Sequence, residues 1–332
     1  MAIIKAPIGR RGFLAGTAGL TLASGGIGLF GSGRAEAKAP MLGTKQPGWY
    51  RFKIGDFEGT IVSDGRLDLG KATDQFPDAP VEEIQAIMDR EFLPVAPMML
   101  EQNALIVNTG EKLVLFDSGM GSAKLFGPES GRLMASIKAS GIDPATIDAV
   151  ILTHAHLDHC WGIMADDGSR NFPNAQIYMS QADFDFWTDE GKLSAEGFLP
   201  TFVEGARRNL LPNQDRMVFV EDGKEVLPGI QAIFTPGHTV GHVSYVITSN
   251  GQSFLNVGDV VHHYALLFEN PQWEFAFDTD PKQAAATRVK LFEMATSEQL
   301  VMLGYHFPFP GIGHIRKAQK GFDYVPMAMD LS

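Results

Sequence analysis

The chain has 332 residues, 45% of them hydrophobic and 20% charged, with 36 Gly and 19 Pro. That composition is globular and excludes wholesale disorder and fibrous repeats. A formal net charge of −12 argues against nucleic acid as a partner, and a single cysteine, Cys160, excludes a disulfide framework or a cysteine-rich metal site.

Residues 1–37 read as an export signal. Arg10 and Arg11 precede Gly12-Phe13-Leu14, a weakly apolar stretch runs to Phe30, and Ala35-Glu36-Ala37 has the small-x-small form of a cleavage site. The paired arginines resemble a twin-arginine signal, which implies export to the periplasm and a mature chain of one domain, 38–332. Losing 1–37 removes four basic residues and one acidic residue and leaves a net charge of −15. No other segment has 18 consecutive apolar residues, so no membrane partner is expected after signal removal.

In chain order, 49–63 and 103–116 read as strand pairs turning at Gly55-Asp56 and Thr109-Gly110-Glu111. Between them, 80–92 has Val81, Ile84, Ile87 and Met88 at helical spacing. A short helix is predicted over 131–140, closing near Gly141, then a strand over 148–153. A strand over 175–179 and a helix over 181–187 follow, then strands over 230–234, 243–248 and 253–257. The clearest helix, 281–296, opens on a proline, and a strand over 300–303 leads to His306. Strands dominate each half, which suits two face-to-face sheets with helices outside.

All nine histidines lie at or beyond residue 154. His154-Ala155-His156-Leu157-Asp158-His159 follows the 148–153 strand directly. On an extended backbone His154 and His156 project to one side and can grip one ion, while Asp158 and His159 can grip a second. Four such side chains in six residues are costly to bury without compensation. His238, Asp259 and His306 each follow a predicted strand, and ligands at strand ends converge on one rim of a sandwich. A lone histidine is more often structural, and His242 and His314 are read so; Cys160 is read as a small buried hydrophobe.

With this histidine loop the chain resembles the metallo-β-lactamase superfamily. The resemblance implies an α/β fold, a four-layer αββα sandwich with a two-metal site between the sheet edges. It assigns one divalent ion to His154, His156 and His238 and the other to Asp158, His159 and His306, with Asp259 bridging. Asp158 and Asp259 are thereby the catalytic carboxylates, and Asp117, in Leu115-Phe116-Asp117-Ser118-Gly119, is a supporting one. Imidazole and carboxylate ligands suit Zn²⁺, with Mn²⁺, Co²⁺ or Fe²⁺ as alternatives.

Within the superfamily the chain is similar to the methyl parathion hydrolase group. The match runs over about 47–326 through Gly48-Trp49-Tyr50-Arg51, Ser63-Asp64-Gly65, Leu125-Phe126-Gly127-Pro128 and Phe309-Pro310-Gly311-Ile312-Gly313-His314. This resemblance implies an aromatic substrate pocket of Phe126, Trp187 and Phe198. The departure is His262-His263-Tyr264, which brings polar groups to a stretch expected to be aliphatic.

Two ions sharing a water would lower its pKa toward ~7 and let hydroxide attack a carbonyl or phosphoryl centre. The expected activity is hydrolysis of lactones or aryl esters, with organophosphate triesters as a side activity or the main one. The expected partner is a small neutral ester, lactone or phosphotriester, because the acidic chain repels anions. A homodimer stays open, since the sequence does not fix the oligomeric state. A β-lactamase is disfavoured by Asp259, and a di-iron oxidoreductase by His156 where that group carries Glu. A non-catalytic metal-binding protein is the remaining alternative.

Overall fold

The computed structural model describes residues 47–330; the export-signal segment and the 1–37 boundary lie outside the described residues. Among the described residues fourteen strands form two sheets. The first holds, in spatial as in chain order, β1 (Trp49–Ile54), β2 (Phe57–Asp68), β3 (Met99–Asn108), β4 (Leu113–Phe116), β5 (Ala149–Ile151), β6 (Gln176–Ser180) and β7 (Met217–Val220). The second runs from β8 (Glu225–Leu227) through β9 (Ile230–Phe234), β10 (Val243–Ser249), β11 (Gln252–Asn256), β12 (Val301–Leu303) and β13 (Ile312–Lys317) to β14 (Phe322–Pro326). β4 to β7 pair in parallel, as do β11 and β12; the other pairs are antiparallel.

The helices are α1 (Ala72–Gln75), α2 (Val81–Arg90), α3 (Leu133–Ala139), α4 (Leu157–Cys160), α5 (Gln181–Thr188), α6 (Leu199–Leu210), α7 (Leu266–Glu269) and α8 (Pro281–Ser297). Asp280 caps α8 by accepting the Gln283 N–H, one residue before the proline that opens it.

The alternation of side chains along each strand builds the layers. Leu105 and Val107 of β3, Ala149 and Ile151 of β5, Tyr245 and Ile247 of β10 and Leu303 of β12 meet in one apolar layer between the sheets. Ala104, Ile106 and Val150 point the other way, onto Leu133, Phe184 and Phe202 of the helices covering the first sheet. Leu255 and Met302 likewise pack on Ile84, Leu267 and Phe292 outside the second. Three apolar layers make a four-layer αββα sandwich, the metallo-β-lactamase architecture expected from the sequence. Among the described residues no helix is long and apolar enough to cross a membrane.

Two local outcomes differ from the sequence reading. Leu157–Cys160 is a helical turn rather than extended loop, with His156 as its extended N-terminal flank. α1, α6, α7, β7, β8, β13 and β14 carried no expectation. α6 buries Phe202, Val203, Ala206 and Leu210 at helical spacing, and Gly205 on it lets the Trp161 ring approach, since a Cβ there would lie 2.0 Å from that ring.

Candidate metal centre

The strand ends deliver the expected side chains to one rim of the sandwich. His154 to His159 follow β5, His238 follows β9, Asp259 follows β11 and His306 follows β12. All seven are buried. Potential ligand atoms of His154, His156 and His238 lie within 4.8 Å of one another, and so do those of Asp158, His159, Asp259 and His306.

Asp259 is the hub. Its Oδ2 stands 3.7 Å from His154 Nε2, 3.2 Å from His159 Nε2, 3.4 Å from His238 Nε2 and 3.1 Å from His306 Nε2. Asp158 Oδ2 lies 3.4 Å from His159 Nε2 and 3.5 Å from His306 Nε2. Burial pushes the Asp259 carboxyl up, but His159, His306 and His262 outweigh it and hold the group well below the usual carboxylate range. Burial pulls His159 down, yet Asp259, Asp158 and Asp117 raise it well above an ordinary imidazole.

Four imidazoles turn Nε2 inward because Nδ1 is engaged behind them. His154 Nδ1 meets Thr153 Oγ1 at 3.0 Å and His159 Nδ1 meets Asp117 Oδ2 at 3.0 Å. His238 Nδ1 donates to Asp278 at 2.8 Å and His306 Nδ1 to the Glu101 carbonyl at 2.8 Å. Such partners fix the tautomer and the ring orientation of metal-binding histidines. Asp117 itself, at φ 61°, accepts the Thr153 N–H at 2.8 Å. His154, His159 and His238 are left with buried Nε2 atoms, and Asp259 with a buried Oδ1, that have no hydrogen-bond partner among the described residues. Buried imidazole nitrogens and a carboxylate oxygen turned to one point without hydrogen-bond partners are costly unless an ion sits among them, so this donor set fits divalent ions.

His242 does not join either cluster. Its Nε2 accepts the Asp259 backbone N–H at 2.9 Å and its Nδ1 donates to Thr235 at 2.8 Å, so it positions the hub carboxylate. Gly258, at φ +55°, makes this approach possible, since a Cβ there would lie 2.6 Å from His242 Nε2. His314 lies in β13 opposite Val301, away from the cluster, and Cys160 is buried with its thiol facing the Ala155 carbonyl.

Of His262, His263 and Tyr264, which the sequence reading left without a role, His262 reaches the cluster. Its Nε2 is 3.2 Å from Asp259 Oδ2, and its ring stacks on Phe275 at 3.9 Å. Unlike the other four, its Nδ1 has no partner among the described residues. Burial lowers its pKa to about 4, so it stands beside the cluster as a neutral imidazole. His238, His262 and Asp278 also form a close group, but the His238–Asp278 hydrogen bond accounts for that proximity.

Over the cluster lies a narrow pocket of about 30 Å³ with Phe126, Phe202, Phe275 and Phe277 in its walls. Of the three aromatics expected there, Phe126 lines it. Trp187 does not: it is a core residue behind His156, with ring centroids 4.8 Å apart. Phe198 is 50% exposed and packs on Phe202 and Phe277 from outside.

Residues 99–306 match the family model of the metallo-beta-lactamase superfamily. The chain belongs to that superfamily. An N-acyl homoserine lactonase of Bacillus cereus is 25% identical over 244 residues, 70% of this chain and 86% of the relative. The crystal structure of hydrolase AbOPH in the beta lactamase superfamily superposes with a TM-score of 0.80 at 32% identity, covering 86% of this chain and all of that one. AidC, a dizinc quorum-quenching lactonase bound to a product N-acyl-L-homoserine, superposes with a TM-score of 0.80 at 27% identity, covering 85% and 98%. The superfamily places this chain among metal-dependent hydrolases.

Proposed function

We propose that this chain is a hydrolase of lactones or aryl esters working at a two-ion centre. His154, His156 and His238 would hold one ion and Asp158, His159 and His306 the other, with Asp259 placed among both sets. The observation that carries this reading is the set of buried, unpartnered Nε2 atoms turned toward one Asp259 oxygen. Lactonases among the relatives point to the same electrophile.

Divalent ions bound there supply Lewis acidity for the substrate oxygen and a water of lowered pKa for attack. The chain supplies the rest. Asp117, Asp278 and the Glu101 carbonyl hold the imidazoles in one tautomer. Phe126, Phe275 and Phe277 shield the reacting carbonyl from bulk water, which strengthens each polar contact inside. Zn²⁺ is the proposed metal, as in the dizinc relative.

A second reading, phosphotriester hydrolysis as a side activity, is supported by the motif resemblance to the methyl parathion hydrolase group. A panel of a lactone, an aryl ester, a phosphotriester and a β-lactam on purified protein, with elemental analysis, tests both. Turnover of lactone and ester with about two ions per chain is expected; β-lactam turnover alone, or an active enzyme with one ion or none, overturns the reading.

We also propose export by the paired-arginine segment, followed by action in the periplasm. Changing Arg10 and Arg11 to Lys is expected to abolish export. Undiminished export of that variant, or a mature protein still carrying 1–37, overturns it.

A further inference from the structure

Asp183 is a fully buried carboxylate in the first turn of α5, and no step of the proposed reaction uses it. Its Oδ2 accepts the Ala155 N–H at 2.8 Å, and its Oδ1 accepts the Gly241 N–H at 2.8 Å. Ala155 stands between His154 and His156, and Gly241 follows His238 by three residues. One carboxylate thus ties together the two backbone segments that carry the first histidine trio. A buried carboxylate is costly unless hydrogen bonds compensate, and both of these bonds run to ligand-bearing backbone.

The rest of α5 serves the same trio. Ser180 caps the helix by accepting the Asp183 N–H at 3.2 Å, and its hydroxyl donates to the Gly241 carbonyl at 2.6 Å. Gly241 is therefore held at its N–H and at its carbonyl. A Cβ on Gly241 would lie 2.2 Å from Ser180 Oγ, so a side chain there would push the helix away. Trp187, four residues beyond Asp183, shares its helix face and backs the His156 ring. The second trio has other anchors. The Ser118 N–H donates to the His159 carbonyl at 2.6 Å, and the Tyr305 hydroxyl donates to the Asp158 carbonyl at 2.6 Å. His306 is held by the Glu101 carbonyl. None of these partners belongs to α5.

We infer that Asp183 is a positioning residue for one ion of the two, the one assigned to His154, His156 and His238. It sets the spacing between the His154–His156 segment and His238 without touching the ion. The inference rests on the two-ion reading for the presence of an ion there. It rests on the two backbone bonds of Asp183 for the choice between the trios. Both carboxylate oxygens accept an N–H, so Asp183→Asn must turn its own N–H donors toward one of the two backbone N–H groups, whichever way the amide sits.

The test is zinc release from the full-length, zinc-loaded protein to a chromophoric chelator, in two backgrounds. His306→Ala leaves only the first trio whole, and His238→Ala leaves only the second. Adding Asp183→Asn to His306→Ala is expected to weaken retention of the remaining ion about 10- to 100-fold. Adding it to His238→Ala is expected to leave retention unchanged. Ser180→Ala removes the bond to the Gly241 carbonyl and keeps the carboxylate; it is expected to show the same split to a smaller degree, and it decides the matter should Asp183→Asn fail to fold. Equal losses in both backgrounds would mark Asp183 as general scaffold and overturn the inference, as would no loss in either. A parent chain that retains both ions while the split is missing sinks the role of Asp183 alone. A parent chain that retains no ion sinks the two-ion reading and this inference with it.

Discussion

Asp278 accepts the Nδ1 proton of His238 at 2.8 Å, while its other carboxylate oxygen faces the Arg288 guanidinium at 3.7 Å. Arg288 is fully buried and also donates to the carbonyls of Val260, Pro271 and Trp273 at 2.7, 2.9 and 2.8 Å. One cation in α8 thus braces both the carboxylate behind His238 and the backbone next to Asp259. Asp278→Ala is expected to weaken metal retention about 10- to 100-fold. Competition with a chromophoric chelator measures this, and unchanged retention would show that His238 needs no brace.

Removing the hub has a larger effect. Asp259→Ala leaves the Nε2 atoms of His154, His159, His238, His262 and His306 without the carboxylate they now face. Elemental analysis is expected to show less than the full metal content and assays to show loss of most activity. A variant with two ions and parent-like kcat would refute the bridging role.

The aromatic side chains divide by position. Trp187→Ala opens a core cavity behind His156, so a stability loss of about 3–5 kcal/mol is expected. Its effect on kcat/KM is expected to be similar for aryl and alkyl substrates. Phe277→Ala, in the pocket wall, is expected to penalise aryl substrates selectively. Matched aryl and alkyl kcat/KM values for both variants decide this. A selective aryl loss in Trp187→Ala alone would reverse the assignment.

Asp64, which belongs to neither histidine cluster, gives a pH signature of its own. Its carboxylate accepts the N–H groups of Met120 at 2.8 Å and Leu133 at 2.6 Å, yet burial outweighs these bonds and raises its pKa from 3.8 to about 6. The folded state therefore holds this proton longer than the unfolded chain, and stability falls as pH rises between those two values. The cost is about 3 kcal/mol, fully present above the folded pKa. Denaturant titrations of parent and Asp64→Asn at pH values below and above this window are expected to show the parent losing about that much relative to the variant. A constant difference would mean that the carboxyl titrates normally.

Much of the centre was legible because its chemistry is local. His154 to His159 occupy six consecutive positions after an apolar strand, and no packing rearranges that spacing. His238, Asp259 and His306 were legible from their places after strands, which the sandwich turns into one rim. The pocket was less legible. Phe202, Phe275 and Phe277 come from α6 and from the segment between α7 and α8, and nothing in their spacing distinguishes a pocket wall from core. Trp187 misled for the converse reason: a large ring near a ligand reads as pocket from sequence, but here it supports His156 from behind. His262 follows Asp259 by three residues in an irregular stretch, and its stacks on Phe275 and His306, which place it beside the hub, come from distant parts of the chain.

The two seven-stranded sheets are consecutive in the chain, joined once, at 221–224 between β7 and β8. The first contributes the His154–His159 side chains and the second contributes His238, Asp259 and His306, so neither half owns a complete cluster. Ions held by both clusters would act as a clasp between the halves. A backbone nick at Gly223 would separate two polypeptides, each with a whole sheet. Their reunion would then be readable as metal uptake, which makes the centre a built-in gauge of whether the sandwich is closed.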